Sequence, residues 1–396
     1  MGAPDLPDFD PRDPAFRCRP DFHELTARLR AESPVHEVEP GYKVLSRHAD
    51  IREVSRDPGR FVSGRGILVN DPIRDGRPVV GLLIHQDPPQ HGEWRRLLNR
   101  RFTPRAVAPL TERIREMTRA LLDDLPPGEP VDAVDALCAP LPVLVIAELL
   151  GIPEADRDQF RRWSDVTISA ADGLEGLSPE DAAAMGELSA FLVAHAEAKA
   201  AEPGDDLVSA LVGSQVEGKP LTPDELMMFS MVLLVAGNET TRHLLSGSLV
   251  TLAEHPDQRA GLAADPSLVP GAVEELLRWV TPIHQFCRTV VADTDVGGVP
   301  VQADDYLVLL YASGNRDEAA FGPTAGRFDA TRVPPVPNLG FGFGEHLCLG
   351  AALARMEGRV VLEELLARFP EWSVVEPPVL DPSTVVHGPA TLTVAF

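Results

Sequence analysis

The longest helix that the sequence predicts lies between Thr222 and His255. Thr222-Pro223-Asp224-Glu225 is a capping-box pattern with proline at the first helical position, and Pro256 ends the helix. Because a helix rises about 1.5 Å per residue, this one would cross most of the molecule. The chain must therefore fold around a long central helix.

Helical periodicity also dominates elsewhere. Apolar residues recur at three- and four-residue spacing near residues 137–151, 180–201, 223–255, 268–280 and 351–368. Short β-prone stretches are Gly41–Leu45, Arg288–Ala292, Val299–Val301 and Tyr306–Tyr311. No repeat or linker divides the chain. We expect a mainly α fold with a small β region, in one domain spanning residues 1–396, with residues 1–40 as an extended segment packed on or near it.

Composition favours a cytoplasmic protein. Cys18, Cys138, Cys287 and Cys348 lie too far apart to suggest a disulfide framework. The N-terminus is polar and rich in proline, and the longest apolar runs are too short to span a bilayer. The net charge of -24 argues against nucleic acid as a partner, because phosphate binding needs clustered Lys and Arg. We expect no membrane and no nucleic-acid partner.

The stretch Phe341–Gly350 leads directly into a helical pattern and offers Cys348 as a metal ligand. Glycines at 342 and 344 permit a tight turn, and the following helix points N–H groups at the sulfur, which favours thiolate. A lone cysteine is often an inert buried side chain. Without a second cysteine at CxxC spacing, this one suits haem iron better than a zinc cage.

The pattern F-G-x-G-x-H-x-C-x-G, followed by Leu353-Ala354-Arg355, resembles the cysteine loop of the cytochrome P-450 superfamily of haem-thiolate monooxygenases. The resemblance covers about residues 40–396. It implies a soluble bacterial-type enzyme with a triangular-prism helical domain, and haem b between the long central helix and the cysteine-loop helix. It also implies that Cys348 is the axial ligand of the haem iron, and that Phe341 and Gly342 contact the cofactor.

The middle of the long helix reads Ala236-Gly237-Asn238-Glu239-Thr240-Thr241. Gly237 should cost ~1 kcal/mol relative to alanine, which suggests close approach of a ligand to the backbone. Thr240 can bond back to the carbonyl of Ala236 or Gly237. Taken alone, the motif is equally consistent with a tolerated Gly and Thr. The resemblance implies that Glu239 and Thr240 are the acid–alcohol pair that delivers protons during oxygen activation, with Ala236 and Gly237 at the haem.

Two haem propionates need basic partners. His91 and Arg95 stand four apart on a helix whose start is signalled by Asp87-Pro88-Pro89-Gln90. His346 and Arg288 complete the set that the family uses. Each of these residues taken singly is more typical of an ordinary surface position, and only together do they favour haem.

Glu275 and Arg278 are three residues apart and share one helix face. Such a pair is usually a surface feature of small energy. The resemblance implies instead a buried structural pair that locks the haem-side scaffold.

We expect three parts of the chain to contact the substrate: the segment Gly64–Ile84, the long helix, and the stretch before Arg288 together with residues 385–387. The candidate contacts are Leu233, Ile283, His284, Phe286 and Val386. His284 and Gln285 could bond a substrate hydroxyl or carboxylate, or face solvent on a turn. The mostly apolar lining favours a lipophilic substrate, such as a terpenoid, a sterol-like molecule or a secondary metabolite.

Arginines cluster in two places despite the acidic composition: Arg95, Arg96, Arg100, Arg101 and Arg105, with Arg355 and Arg359 after the cysteine. They are either a solvated helix face or a docking patch for a small acidic electron carrier. The resemblance implies a monomer that takes O2 and receives electrons from a ferredoxin and its ferredoxin reductase.

Three other functions compete with a dioxygen-dependent hydroxylase. A peroxide-driven haem-thiolate peroxygenase or a non-catalytic haem-binding protein would keep Cys348 without needing Glu239 and Thr240. A zinc or cysteine-nucleophile enzyme using His346 and Cys348 lacks a second ligand pair or a triad partner at informative spacing.

Overall fold

The computed structural model describes residues 9–77, 83–171, 178–216 and 218–396. Within them the α-helices are α1 (Pro14–Arg17), α2 (Phe22–Glu32), α3 (His48–Arg56), α4 (Gln90–Asn99), α5 (Pro104–Val107), α6 (Leu110–Asp123), α7 (Pro140–Leu150), α8 (Arg157–Ala171), α9 (Pro179–Ala201), α10 (Leu207–Leu211), α11 (Pro223–Glu254), α12 (Pro256–Ala264), α13 (Val269–Val280), α14 (Tyr311–Gly314), α15 (Glu318–Phe321) and α16 (Ala351–Arg368). The strands are β1 (Val35–Glu39), β2 (Tyr42–Leu45), β3 (Phe61–Val62), β4 (Pro130–Asp132), β5 (Gln215–Val216), β6 (Lys219–Pro220), β7 (Gln285–Val290), β8 (Thr294–Val296), β9 (Val299–Val301), β10 (Tyr306–Leu310), β11 (Ser373–Val374), β12 (Val379–Leu380), β13 (Pro389–Thr391) and β14 (Thr393–Ala395).

The mainly α class with a small β region is confirmed. The five predicted helices correspond to α7, α9, α11, α13 and α16, with ends that differ by a few residues at most. The predicted capping box of α11 forms: the Glu225 amide donates to Thr222 Oγ1 at 3.2 Å, and the Thr222 amide donates to Glu225 Oε2 at 2.8 Å. Among the described residues, helices that combine the length and hydropathy of a membrane span are absent.

Two sequence predictions need correction. Strand β7 begins at Gln285 and ends at Val290. It pairs with β10 from Gln285, opposite Leu310, to Thr289, opposite Tyr306, and its last residue, Val290, pairs with Phe61 of β3. The N-terminal segment is not uniformly extended: it forms the helices α1 and α2 before β1, and residues 1–8 lie outside the described part.

The chain forms two compact units, and the prediction of one domain stays a prediction. The first unit comprises residues 1–92, 247–351 and 378–390. Its five-stranded sheet has the order β1-β2-β10-β7-β3. Successive side chains of a strand point to opposite faces, so Val308 joins a cluster with Phe16 and Phe22, whereas Leu307 and Leu309 join a second cluster. The sheet therefore has two buried faces.

The second unit comprises residues 93–246, 352–377 and 391–396. It contains α6 to α10, most of α11 and α16, with a small sheet of order β11-β14-β4. Arg115 of α6 forms ion pairs with Glu363, at 2.8 Å, and with Glu364 of α16. These partly buried pairs fix the cysteine-loop helix within its own unit.

The tight packing of α11 at Gly247 can be tested by comparing one glycine substitution there with one on α9. The two should change the free energy of unfolding in opposite directions. An added Cβ at Gly247 would lie 2.6 Å from Val280 Cγ1, whereas nothing lies within 4 Å of one at Gly186 of α9. Gly247→Ala should lower the free energy of unfolding by about 1–3 kcal/mol through overpacking. Gly186→Ala should raise it by up to ~1 kcal/mol, because alanine is the better helix former. Denaturant unfolding measures both, and stabilisation by both substitutions would contradict the tight packing at Gly247.

Candidate active site

The cysteine loop is a tight turn that joins Leu339 to α16. Gly342 and Gly344 adopt left-handed backbone conformations, with φ of 68° and 76°. The Cys348 amide donates to the Phe341 carbonyl at 2.9 Å, and the Gly342 amide donates to the Leu339 carbonyl at the same distance. The thiol of Cys348 is exposed. The backbone thus fixes the cysteine while its sulfur stays accessible.

Helix α3 supports this loop inside the first unit. A Cβ on Gly344 would overlap the carbonyl oxygen of Ser55, so only glycine fits there. The Phe343 ring lies between two guanidinium groups, with the Arg52 and Arg56 Cζ atoms 4.2 and 4.7 Å from its centroid. These contacts escaped the sequence analysis because no local pattern relates α3 to a loop so distant in sequence.

Helix α16 begins at Ala351, directly after the loop. The Ala351 amide donates to the Cys348 carbonyl at 3.4 Å. The unpaired N–H groups of a helix's first turn carry partial positive charge and stabilise an anion nearby. A thiolate at position 348 therefore lies where the backbone favours negative charge.

Two histidines from the predicted propionate set come together. The rings of His91 and His346 are 4.2 Å apart between centroids, and His346 Nε2 lies 3.1 Å from Ser63 Oγ. A Glu345 carboxylate oxygen lies 3.5 Å from the same Nε2. Burial and the nearby Asp87 raise the pKa of Glu345, while Arg288 opposes that rise. The sequence analysis missed both Ser63 and Glu345, although Glu345 occupies a variable position of the motif.

Asp87 lies in the stretch that the sequence predicts as the start of the helix that carries His91. Helix α4 begins at Gln90, and the Asp87 carboxylate accepts hydrogen bonds from the amides of Ser63 and Gly64 at 2.8 and 2.9 Å. Asp87 therefore ties the segment before α4 to the loop that carries Ser63. Arg95 lies one turn beyond His91 on α4 and is half-buried.

Arg288 lies on β7 opposite Leu307 and is 4% exposed. Its Nη1 donates to the Cys287 carbonyl at 2.7 Å, and no carboxylate in the described part of the chain forms an ion pair with it. A buried guanidinium without a carboxylate is costly. The arrangement is therefore suited to an anionic ligand.

Helix α11 carries the predicted acid–alcohol pair in the second unit. Thr240 Oγ1 donates to the Ala236 carbonyl at 2.9 Å, one of the two bonds that the sequence predicts. Glu239 is 9% exposed, and one of its carboxylate oxygens lies 3.9 Å from Arg242 Nη2. An added Cβ on Gly237 would lie 3.0 Å from Ile146 Cδ1, so this side of α11 packs closely against α7, and contact of Gly237 with the haem stays a prediction.

Glu275 and Arg278 form a buried pair on α13, with both hydrogen bonds at 2.7 Å. Arg278 also donates to the carbonyls of Asn315 and Ala325, and Arg332 Nε reaches Glu275 at 3.1 Å. Arg332 and Asn315 were not found from the sequence, because their partners lie far away in the chain.

The substrate candidates differ in exposure. Leu233, Ile283 and Phe286 are half-buried, whereas His284 and Val386 expose 3% and 4% of their surface. The last two therefore offer almost no surface to a ligand. Residues 78–82 of the predicted Gly64–Ile84 loop lie outside the described residues.

The sequence alternative of solvent-facing residues at 284 and 285 is wrong. The His284 ring stacks on Phe22 and His387, with centroids 5.5 and 4.3 Å away, and burial lowers its pKa well below the usual value. Gln285 Nε2 donates to the carbonyls of Pro11 and Thr384, each at 2.9 Å. Both side chains hold neighbouring segments of the first unit.

Comparisons with known proteins identify the family to which the chain is similar. The sequence model described as Cytochrome P450 matches residues 183–394. The erythromycin C-12 hydroxylase of Saccharopolyspora erythraea is 41% identical over 348 residues, which cover 86% of this chain and 85% of that protein. The steroid C26-monooxygenase of Mycolicibacterium smegmatis is 36% identical over 402 residues, covering 98% and 96%.

Solved structures show the same similarity. A cytochrome P450 from Bacillus megaterium, determined in complex with testosterone, has a TM-score of 0.83 and 33% identity, with 94% of this chain and 98% of that chain covered. This chain belongs to the cytochrome P450 family and is a haem-thiolate monooxygenase of the bacterial type.

Proposed function

We propose that this enzyme inserts one oxygen atom of O2 into a C–H bond of a lipophilic small molecule, with Cys348 as the axial ligand of haem b. The observation that carries the proposal is an exposed thiol on a backbone-fixed loop, at the start of α16. Thiolate donation favours cleavage of the O–O bond.

The residues of the first unit fit the haem. Arg288 is buried without a carboxylate ion pair among the described residues, and the His91 and His346 rings lie side by side. Two propionates would supply the anion that the Arg288 guanidinium needs, with His91, His346 and Arg95 as further partners. When bound, the haem supplies dioxygen activation and C–H oxidation.

The protein's own contribution is proton delivery and positioning. The Thr240 hydroxyl donates to the Ala236 carbonyl and lies on the helix face that also carries Leu233. Glu239 directly precedes Thr240 on the same helix and is the acid from which Thr240 receives protons. A nearly buried carboxyl can hold a proton and release it without bulk water.

The substrate class follows from apolar lining. Ile283 and Phe286 in the first unit and Leu233 in the second each present half-buried apolar surface, which favours a lipophilic ligand. Relatives are named for erythromycin, steroids, linalool and vitamin D(3). We therefore assign this enzyme a terpenoid, sterol-like or macrocyclic secondary metabolite.

The electron donor is a ferredoxin supplied by a ferredoxin reductase. Arg100, Arg101 and Arg105 are exposed, and no carboxylate in the described residues forms an ion pair with them. On a chain of net charge -24 this is a local positive surface for an acidic carrier. The enzyme acts as a cytoplasmic monomer.

Axial ligation is tested by Cys348→Ser. The variant should lose the strongly red-shifted Soret band of the reduced carbon monoxide complex, because serine cannot supply a thiolate. Cys18→Ser is the matched control, since Cys18 is also exposed, and it should keep the band. An unchanged band in Cys348→Ser would refute the ligand assignment.

Proton delivery is tested by Thr240→Ala. Product formed per electron pair should fall about tenfold or more, with peroxide released instead, because positioned proton transfer is lost. Thr251→Ala is the control: Thr251 Oγ1 donates to the Gly247 carbonyl at 2.7 Å on the same helix. It should leave coupling unchanged, and Thr240→Ser should restore most of it. Undiminished coupling in Thr240→Ala, or equal turnover with peroxide alone, would favour a peroxygenase.

Docking is tested by the double charge reversal Arg100→Glu and Arg359→Glu. The second-order rate of reduction by ferredoxin should fall about tenfold or more at low salt and lose most of its salt dependence. Arg161→Glu with Arg162→Glu on α8 makes the same change in net charge and should have little effect. Equal effects of the two pairs would mean that net charge, not a patch, governs association.

A further inference from the structure

We propose that Asn315 is a positioning residue that sets the cysteine loop relative to α13, and through the loop the geometry of the Cys348 thiolate. The proposal rests on the assignment of Cys348 as axial ligand. Asn315 follows α14, is fully buried at 0% exposure, and lies in the first unit with every residue it contacts.

Every polar group of Asn315 has a partner. Its Oδ1 accepts from the Leu339 amide at 2.7 Å, and its Nδ2 donates to Thr281 Oγ1 at 2.9 Å. Its carbonyl accepts from Arg278 Nη1 at 2.7 Å, and its amide donates to the Tyr311 carbonyl at 2.8 Å. One side chain thus joins α13 to the start of the cysteine loop.

The orientation of the amide is determined by its partners. The Leu339 N–H can only donate, so the atom facing it must be the carbonyl oxygen of Asn315. Thr281 Oγ1 donates to the Arg278 carbonyl at 2.8 Å, so it accepts from the amide nitrogen. Aspartate would lose the donor and leucine would lose both bonds, so only asparagine among residues of this shape satisfies both neighbours.

Thr281 is held in an uncommon conformation. Its φ of 46° lies in the left-handed region, which a β-branched residue rarely adopts, and it is 2% exposed. The hydrogen bond from Asn315 and the bond to the Arg278 carbonyl hold it there. The strained end of α13 therefore depends on Asn315.

Two backbone hydrogen bonds connect Leu339 to Cys348 within the loop. The Leu339 carbonyl accepts from the Gly342 amide, and the Phe341 carbonyl accepts from the Cys348 amide, both at 2.9 Å. An added Cβ on Gly340 would lie 3.0 Å from the Leu277 carbonyl oxygen, so the loop entry also passes close against α13. A shift at Leu339 is therefore transmitted to the sulfur.

The test compares Asn315→Ala with Asn315→Asp and Thr281→Val. Asn315→Ala removes both side-chain hydrogen bonds. In the reduced carbon monoxide complex, the fraction of protein with the less red-shifted Soret band, which marks a displaced or protonated thiolate, should therefore rise roughly fivefold. Exchange of the Leu339 amide should accelerate by a similar factor. Asn315→Asp keeps the acceptor for Leu339 and Thr281→Val leaves that bond intact, so both should retain most amide protection.

Thr118→Val is the matched control. Thr118 is also fully buried, and its Oγ1 donates to the Ile114 carbonyl at 2.8 Å on α6. It loses a buried hydrogen bond but should keep the wild-type band and the Leu339 exchange rate. If Thr118→Val and Asn315→Ala changed the band equally, general destabilisation would explain the result and the proposal would be overturned.

The wild-type holoenzyme supplies a measurement that needs no folded variant. Because the bonds lie in series, the amides of Leu339, Gly342 and Cys348 should exchange through one opening, at rates equal within about twofold. Independent exchange of Cys348, much faster than Leu339, would overturn the proposal. If Cys348→Ser lost the thiolate band but Asn315→Ala kept the wild-type spectrum, the positioning role of Asn315 would be rejected and the ligand assignment would stand. If Cys348→Ser kept the band, the assignment of Cys348 as axial ligand would be rejected.

Discussion

The first unit depends on the buried ion pair between Glu275 and Arg278, which are 3% and 1% exposed. Removing two such charges from water costs several kcal/mol each, so the pair is tolerable only because its bonds are short and its remaining N–H groups are satisfied. Arg278 donates to the carbonyls of Asn315, Ala325 and Arg327, which follow it by 37, 47 and 49 residues. The pair therefore organises the chain that leads to the cysteine loop.

A second buried arginine shows the opposite arrangement. Arg278 has a carboxylate and three carbonyl acceptors, whereas Arg288 has one acceptor among the described residues, the Cys287 carbonyl. Arg278 has all its N–H groups hydrogen-bonded and is part of the scaffold, whereas the incompletely satisfied Arg288 is suited to an anion. The same side chain thus serves structure or binding according to how many partners the protein itself provides, and that number cannot be read from the sequence around either residue.

The sequence predicted what depends on local chemistry. Helices with caps and apolar periodicity were found with nearly correct ends, and the capping box of α11 forms as expected. The ends of β7 were missed because pairing with β10 and β3, not residue type, decides them. Arg332 and Asn315 were missed for a related reason: each acts on α13 across more than 30 residues of chain, with no periodic signal to connect them.

The motif at residues 236–241 of α11 gave separate predictions for Gly237 and Thr240, and packing bears on them differently. Gly237 suggested a ligand close to the backbone, yet the Ile146 side chain fills that side of α11. For Thr240 the structure agrees with the sequence prediction, because its hydroxyl donates to the Ala236 carbonyl. Because Leu233, Ala236 and Thr240 recur at helical spacing, they share a face, and Ala236 is exposed on it. In the function proposed here, proton delivery and substrate contact would use the same strip of helix. A larger residue at 236 would then change which molecules fit while leaving the hydrogen bond of Thr240, made to the backbone, in place.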